Sequence, residues 1–190
     1  MSDIQQDKKT KNSGWKKTVI DTLITVVAAA ALALCINMFI FQLIEVNKTS
    51  MVPTLQDKEI VFLNKTAYWF GGPKSGDIIV FEKTFDGEKT NYVKRVIGIP
   101  GDEIKIQDGK VYRNGVLLRE PYLSIPTYGD IIAVIPDGEY FVMGDNRNLS
   151  LDSKSEKFGL VKRDEILGKV IFKTRPLDTI DQYVHDYADK

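Results

Sequence analysis

A long stretch without charge lies close to the N-terminus of this chain. No charged residue occurs between Asp21 and Glu45, and the apolar run TLITVVAAAALALCINMFIFQLI fills the 23 positions 22–44. As a helix this run would extend roughly 35 Å, which is enough to cross the hydrocarbon core of a bilayer. The sequence therefore predicts a transmembrane anchor at residues 18–44. A cleaved secretory signal is the alternative, although its apolar part is typically shorter, about 7–15 residues.

The residues before the anchor are rich in lysine. The first 17 residues contain five lysines and two aspartates, namely Lys8, Lys9, Lys11, Lys16 and Lys17 with Asp3 and Asp7. Basic flanks of a membrane helix tend to stay in the cytoplasm. We therefore predict a cytoplasmic tail at residues 1–17, a single pass through the cell membrane, and one extracytoplasmic domain at residues 45–190.

The composition excludes several classes of function. The 26 basic and 26 acidic residues balance, so no basic excess is available to neutralise the phosphates of a nucleic acid. The single cysteine, Cys35, lies inside the apolar run, and the single histidine, His185, lies close to the C-terminus. An intramolecular disulfide and most transition-metal sites are thereby excluded, and a Ser–His–Asp triad becomes an unfavourable hypothesis.

The region after the anchor has the pattern of a β protein. Short apolar segments alternate with Asp-Gly, Asn-Gly and Pro-Gly turns, which favour tight hairpins. The predicted strands are EIVFLNK, DIIVFEK, NYVKRVIGI, EIKIQ, KVYRNGVLL, IIAVI, EYFVMG and KVIFKT. This spacing predicts a sandwich or a partly open barrel, with a short helical turn around residues 161–166.

One predicted strand contains a lysine between apolar neighbours. Side chains alternate between the two faces of a strand, so Tyr92, Lys94 and Val96 share one face and Arg95 lies on the other. If the first face is buried, desolvation lowers the pKa of Lys94 and makes it a candidate general base. The alternative is a surface lysine whose ammonium reaches solvent along its aliphatic stem.

A serine in the stretch SMVPTL is a candidate nucleophile. Pro53 restricts Val52 to an extended conformation, and this restriction stiffens the backbone just after Ser50. A serine hydroxyl needs a neighbouring base, and without a suitable histidine a lysine is the plausible partner. The alternative is a loop serine without a chemical role.

A third polar stretch, MGDNRNLSLDSKSEKFG, follows the predicted strand EYFVM. Its composition alone is typical of a surface loop. In a functional interpretation, Ser150 or Ser153 orients the base through a hydrogen bond. The acidic residues of the stretch, Asp145 and Asp152, would then pair with nearby cations, the candidates being Arg95, Arg147 and Lys154.

Together these three stretches resemble, in order, the motifs of the type I signal peptidases, particularly the short Gram-positive branch. The matching segments are SMVPTL at 50–55, YVKRVIGIPGD at 92–102 and GDNRNLSLDSK at 144–154, and the likeness extends from the anchor to about Thr174. The resemblance implies a mostly antiparallel β catalytic domain with a hairpin insertion at about 104–136. It also implies a membrane-bound serine endopeptidase that removes N-terminal signal peptides from exported preproteins, without a metal or organic cofactor.

The resemblance also implies roles for single residues. Ser50 is expected to be the nucleophile and Lys94 the general base, with the Ser150 hydroxyl orienting the Lys94 amine. Asp145 is expected to hold Arg95, and Asp152 to be a structural salt-bridge residue. The expected substrate groove is lined by the segment Asp77, Ile78, Ile79, Val80 and Phe81, and the expected cleavage sites have a small-x-small pattern such as Ala-x-Ala.

Two positions depart from the family pattern. Lys48 stands two residues before Ser50, where the family usually has glycine or serine that helps to form the oxyanion hole. The Ser50 N–H is one expected donor, and the Lys48 N–H or the Thr49 hydroxyl is a candidate for the second. Lys154 stands where the family usually has arginine, and a lysine cannot form a bidentate pair with a carboxylate.

Two other hypotheses fit parts of the sequence. A self-cleaving repressor-type protease shares the serine–lysine chemistry, but that family is soluble and begins with a DNA-binding domain. A catalytically inactive, membrane-tethered β domain that binds peptides is the alternative from another class, and Lys48 is the feature that favours it.

Overall fold

The N-terminal part of the chain is one long helix. The computed structural model describes residues 3–174 and 177–179, so His185 lies outside the described residues. Helix α1 covers Asp3–Phe39, and its segment Gly14–Ile36 is long and apolar enough to cross a membrane. The chain divides into two compact units, Met1–Ile40 and Phe41–Lys190, and the helix accounts for the first.

The helix ends before the boundary that the sequence predicts for the anchor. Residues 41–44 were expected to continue it, but Phe41–Glu45 form a strand. This strand pairs with Ile60–Asn64 in an antiparallel register that joins Phe41 to Asn64 and Glu45 to Ile60. Backbone hydrogen bonds to a neighbouring strand therefore override the apolar composition that these residues share with the helix.

Twelve strands follow the helix in the part of the chain that the structure describes. They are β1 (Phe41–Glu45), β2 (Ile60–Asn64), β3 (Ile78–Phe85), β4 (Glu88–Gly98), β5 (Glu103–Gln107), β6 (Lys110–Arg113), β7 (Val116–Leu117), β8 (Ile131–Val134), β9 (Glu139–Met143), β10 (Val161–Lys162), β11 (Ile166–Thr174) and β12 (Leu177–Thr179). A 3₁₀ turn, Arg163–Glu165, joins β10 to β11 and lies inside the predicted turn at 161–166. Seven of the eight predicted strands are present as single strands, and the eighth, KVYRNGVLL, forms the two strands β6 and β7, whereas β1, β10 and β12 were not predicted.

The larger sheet is antiparallel and contains eight strands. Its order is β1-β2-β11-β3-β4-β9-β10, with β12 paired to β11. Strand β4 lies between β3 and β9, and its register places Lys94 opposite Ile79 and Arg95 opposite Met143. The sequence prediction of a mostly antiparallel β fold is confirmed.

A second, four-stranded sheet has the order β7-β6-β5-β8 and occupies the predicted insertion. Its hairpins turn at Asp108-Gly109 and Asn114-Gly115, where all four residues have positive φ angles between 52° and 78°. This conformation is the one that Asp-Gly and Asn-Gly pairs adopt most readily. The sheet packs against β9 through an apolar cluster that includes Ile104 and Phe141.

Candidate active site

Three segments meet around one serine and one lysine. Ser50 lies in the loop after β1, Lys94 lies in β4, and the polar loop 144–152 follows β9. The Lys94 Nζ and the Ser50 Oγ are 2.6 Å apart, at hydrogen-bond distance, although 44 positions separate them in the chain. The two residues that the sequence selected independently are therefore in direct contact.

The amino group of Lys94 is almost completely buried. The residue is 3% exposed, so the buried alternative holds for its face of β4, and Arg95 on the other face is buried as well. Burial, with smaller contributions from the nearby Lys48 and Lys154, lowers the pKa of Lys94 from 10.5 to about 8, while Asp152 and Asp145 oppose the shift. A substantial fraction of the Lys94 side chain is thus neutral close to physiological pH.

Arg95, the next residue in β4, points to the other face and is fully buried. Its Nε and Nη2 donate to the two carboxylate oxygens of Asp145 at 2.9 and 2.7 Å. The Thr54 hydroxyl donates to Asp145 Oδ2 at 2.5 Å. Asp145 therefore ties β4 to the segment that follows Ser50, and this contact fixes the distance between the serine and the strand of the lysine.

The loop after β9 is also bound directly to the backbone of the serine. The Asn146 N–H donates to the Ser50 carbonyl at 3.0 Å, and its side-chain amide donates to the Thr49 carbonyl at 3.2 Å. Gly144 allows this approach, because a Cβ there would overlap with the Ser150 Oγ and the Ser50 carbonyl oxygen. Any side chain at position 144 would consequently push the two segments apart.

Arg147 connects the loop to the insertion rather than to an aspartate of its own stretch. Its guanidinium donates to both carboxylate oxygens of Glu120 and to the Thr127 hydroxyl, the latter at 2.7 Å. The Tyr122 ring lies near both arginines, with its centroid 4.0 Å from the Arg95 guanidinium carbon and 5.9 Å from that of Arg147. Arg147 was one of three candidate partners for Asp145 and Asp152, and it pairs instead with Glu120 from a distant loop.

Ser150 and Asp152 lie near the lysine in different environments. The Ser150 Oγ is buried and makes no hydrogen bond within the part of the chain that the structure describes. Asp152 accepts the Gly144 N–H at 3.0 Å, and the Lys154 Nζ lies 4.0 Å from its Oδ2. Lys154 instead donates to the Arg147 carbonyl, so its ion pair with Asp152 is weak. Ser153 donates to the Gly159 carbonyl at 3.0 Å, away from the lysine.

The backbone at Lys48 has an unusual conformation. Its φ angle is +108°, in a region that favours glycine, and its N–H donates to Asp57 Oδ1 at 2.7 Å. The Lys48 N–H is therefore occupied. Among the described residues, neither the Ser50 N–H nor the Thr49 hydroxyl donates to an acceptor.

A groove of about 450 Å³ passes the serine and the lysine. Its walls come from the segments 44–50 and 91–94, together with Leu149 and Leu151. The segment 77–81, which was expected to line the groove, is buried, with every residue at most 2% exposed. It lies in and just before β3, where the neighbouring strands β11 and β4 cover its edges, and Asp77 pairs with Lys169.

Several residues of the site were not recognised in the sequence. Thr54, Asn146 and Glu120 form contacts that depend on segments 27 to 97 positions apart, and no local pattern reports such contacts. Tyr92 was noted only as an apolar neighbour of Lys94, yet it also forms a wall of the groove. Within residues 3–174 and 177–179, no group of three or more histidine, cysteine or acidic side chains could hold a metal ion.

Comparison with known proteins identifies the family. The sequence profile described as "Signal peptidase, peptidase S26" matches residues 19–174. The chain belongs to the signal peptidase family. It is 37% identical to signal peptidase I of Bacillus licheniformis over 90% of this chain and 96% of that protein. It is also 37% identical to signal peptidase I T of Bacillus subtilis (strain 168), over 94% and 97% of the two chains.

Two further relatives match this chain over different fractions of its length. Signal peptidase IB of Staphylococcus aureus (strain COL) is 34% identical over 90% of this chain and 96% of its own length. The crystal structure of a signal peptidase I from Enterococcus faecalis V583 is 33% identical. The structural match covers 51% of this chain and 95% of the Enterococcus faecalis chain, with a TM-score of 0.45.

Proposed function

We propose that this chain is a membrane-bound serine endopeptidase that removes N-terminal signal peptides from exported preproteins, with Ser50 as the nucleophile and Lys94 as the general base. The observation that carries the proposal is the 2.6 Å distance between the Lys94 Nζ and the Ser50 Oγ. A serine becomes a good nucleophile only beside a group that takes its proton. Membership of the signal peptidase family gives the substrate class.

The reaction proceeds by acyl transfer. The Ser50 Oγ attacks the scissile carbonyl carbon while its proton passes to the neutral Lys94 amine. The tetrahedral intermediate then expels the new amino terminus of the mature protein, which takes its proton from Lys94. In the second half, Lys94 removes a proton from water, the hydroxide attacks the ester carbonyl, and Ser50 recovers its proton as the signal peptide leaves.

The environment of Lys94 supports its role as a base. With its pKa lowered to about 8, mainly by burial, the amine is partly unprotonated near neutral pH. We assign the buried Ser150 hydroxyl to orient this amine, because its Oγ has no hydrogen-bond partner among the described residues, Lys94 included, and is therefore available for this role. Asp145 holds Arg95, and Asp152 holds the Gly144 N–H, so both act as structural residues near the site.

The oxyanion would be stabilised by donors beside Ser50. The Ser50 N–H is the first, and the Thr49 hydroxyl is the better candidate for the second. Asp57 already accepts the Lys48 N–H, and the loop would have to release that bond before this group could donate to substrate. A hole built from donors that are already oriented stabilises developing charge without reorganisation.

The groove supports an extended substrate. Strand β1 ends the larger sheet, and residues 88–94 of β4 pair only with β3 among the described strands. A preprotein segment could add to such an exposed backbone edge, and small side chains around the cleavage site would fit its shallow apolar walls. The helix segment Gly14–Ile36 would hold the domain at the bilayer, with the lysine-rich N-terminus in the cytoplasm.

Cleavage of a model preprotein by the full-length chain in detergent tests this proposal. Ser50→Ala and Lys94→Ala are each expected to abolish cleavage, and Lys94→Arg as well, since arginine stays protonated. Ser124→Ala and Lys110→Ala change an exposed serine and an exposed lysine outside the groove and serve as matched controls with normal rates. The wild-type rate should fall about tenfold per pH unit well below pH 8. Normal cleavage by Ser50→Ala or Lys94→Ala would contradict the proposal.

A further inference from the structure

The side chain of Lys48 points to the same aromatic ring as the candidate base. Its Nζ lies 5.9 Å from the centroid of Tyr92, and the Lys94 Nζ lies 6.0 Å from that centroid. The two amino groups therefore cannot be more than about 12 Å apart. Lys48 also lines the groove that contains Ser50 and Lys94.

The Tyr92 ring is held by its own contacts. It stacks on Phe81 at a centroid distance of 5.8 Å and meets Phe158 edge to face at 5.3 Å. Such packing restricts the ring, so it offers a fixed surface to a cation. A cation over this ring remains near Lys94 rather than sampling the whole surface of the loop.

The charge of Lys48 has no counter-ion among the described residues. Glu45, an acidic residue that lines the groove, lies 3.1 Å from the Lys58 Nζ. Lys154, the second cation that acts on Lys94, donates to the Arg147 carbonyl beside Asp152. Lys48 is exposed, and the only acid that it contacts within the described residues is Asp57, through its backbone N–H.

Two identical charges that share a ring repel each other. The charged groups that face Lys94 are Asp152 and Asp145, which favour its protonated form, and Lys48 and Lys154, which oppose it. Lys94 is 3% exposed whereas Lys48 is exposed to solvent, so Lys94 is the residue that loses its proton.

We propose that Lys48 is a positioning residue for catalysis whose ammonium, held beside Tyr92, drives the proton off Lys94 and so extends cleavage to lower pH. The proposal rests on the proposed function, because it gives Lys48 an effect only through the base. It also explains what a strained lysine contributes where glycine would fit the backbone better: a charge at a fixed place in the groove.

The test compares pH profiles of kcat/KM for the full-length chain in detergent at low ionic strength. Lys48→Gln removes the charge and keeps a long side chain. We expect it to raise the midpoint of the profile by about 0.3 to 1 pH unit, the range for a partly screened charge at this separation. Lys48→Arg keeps the charge and is expected to keep the wild-type midpoint.

Two further variants separate charge from backbone strain and from general surface charge. Lys48→Gly removes both the charge and the strain, so the proposal predicts the same midpoint as for Lys48→Gln. Lys110→Gln makes the same charge change at an exposed position of β6, outside the groove, and is expected to leave the profile unchanged. Added salt should shrink the difference between Lys48→Gln and wild type.

The outcomes also distinguish this proposal from the function on which it rests. An unshifted midpoint in Lys48→Gln would overturn it, whether or not the plateau value of kcat/KM falls. Different midpoints for Lys48→Gln and Lys48→Gly would overturn it as well. If Ser50→Ala and Lys94→Ala are inactive in the same assay, only the role of Lys48 has failed. Cleavage by either of those two variants would instead overturn the proposed function.

Discussion

Lys94 and Arg95 are adjacent in β4 and point to opposite faces, yet their environments differ in one essential respect. Both are buried, at 3% and 0% exposure. Arg95 forms a bidentate pair with Asp145, whereas Lys94 meets the Ser50 hydroxyl and has no ion pair among the described residues. The same strand thus buries one cation with a counter-ion and one without.

The difference follows from the chemistry of the two side chains. A guanidinium keeps its proton in proteins, so burying Arg95 requires a paired carboxylate. A lysine can instead lose its proton, and for Lys94 the cost of burial appears as a pKa lowered to about 8. One face of β4 is consequently a rigid ionic contact that positions the loops, and the other presents a neutral amine that can act as a base.

The largest effect on stability is expected when Arg95 loses its counter-ion, the Asp145 carboxylate. Asp145→Asn leaves Arg95 buried without a counter-ion, and we expect a loss of about 3–5 kcal/mol in the free energy of unfolding. Urea unfolding of the full-length chain in detergent, followed by tryptophan fluorescence, measures it. Asp86→Asn is the matched control, because Asp86 pairs with Lys157 at an exposed position and should cost at most about 1 kcal/mol. Equal losses in the two variants would contradict the assigned role of Asp145.

Replacing Lys94, which has no counter-ion among the described residues, should change the stability in the opposite direction. Lys94→Met replaces a buried amine with an apolar side chain, so it should stabilise the fold by about 2 kcal/mol at pH 7 while cleavage is lost. Because the pKa of Lys94 is lower in the folded than in the unfolded chain, the unfolded chain binds more protons between pH 8 and 10.5. Wild-type stability should therefore rise with pH across this window. The rise should be missing in Lys94→Met, and a loss of stability in that variant would contradict the comparison.

Much of the fold could be predicted from local sequence patterns. Alternating apolar residues and Asp-Gly or Asn-Gly turns located eight strands and the insertion. Strand β1 was missed because its apolar residues continue the composition of the helix, and its pairing partner is 15 or more positions away. Strands β10 and β12 have only two and three residues, too few for a periodic pattern.

The candidate site was predictable in part. Ser50 and Lys94 were identified from their motifs, but their contact is a property of the tertiary fold. The family resemblance implied a groove along residues 77–81, and the apolar pattern of that segment does not reveal which strands cover it. Glu120 was missed for a similar reason, since it reaches Arg147 from a loop of the insertion.

The smallest effect on stability is expected from the hydrogen bond that joins the segment after Ser50 to the Arg95–Asp145 pair. Thr54→Val removes the hydroxyl that donates to Asp145 but keeps the shape of the side chain. Arg95 still pairs with both carboxylate oxygens, so we expect a loss of only about 1 kcal/mol in the free energy of unfolding. Thr84→Val at an exposed position of β3 is the control and should be nearly neutral. If Thr54→Val cost as much as Asp145→Asn, the hydroxyl rather than the guanidinium would be the main partner of Asp145, and the contrast between Lys94 and Arg95 would need a different cause.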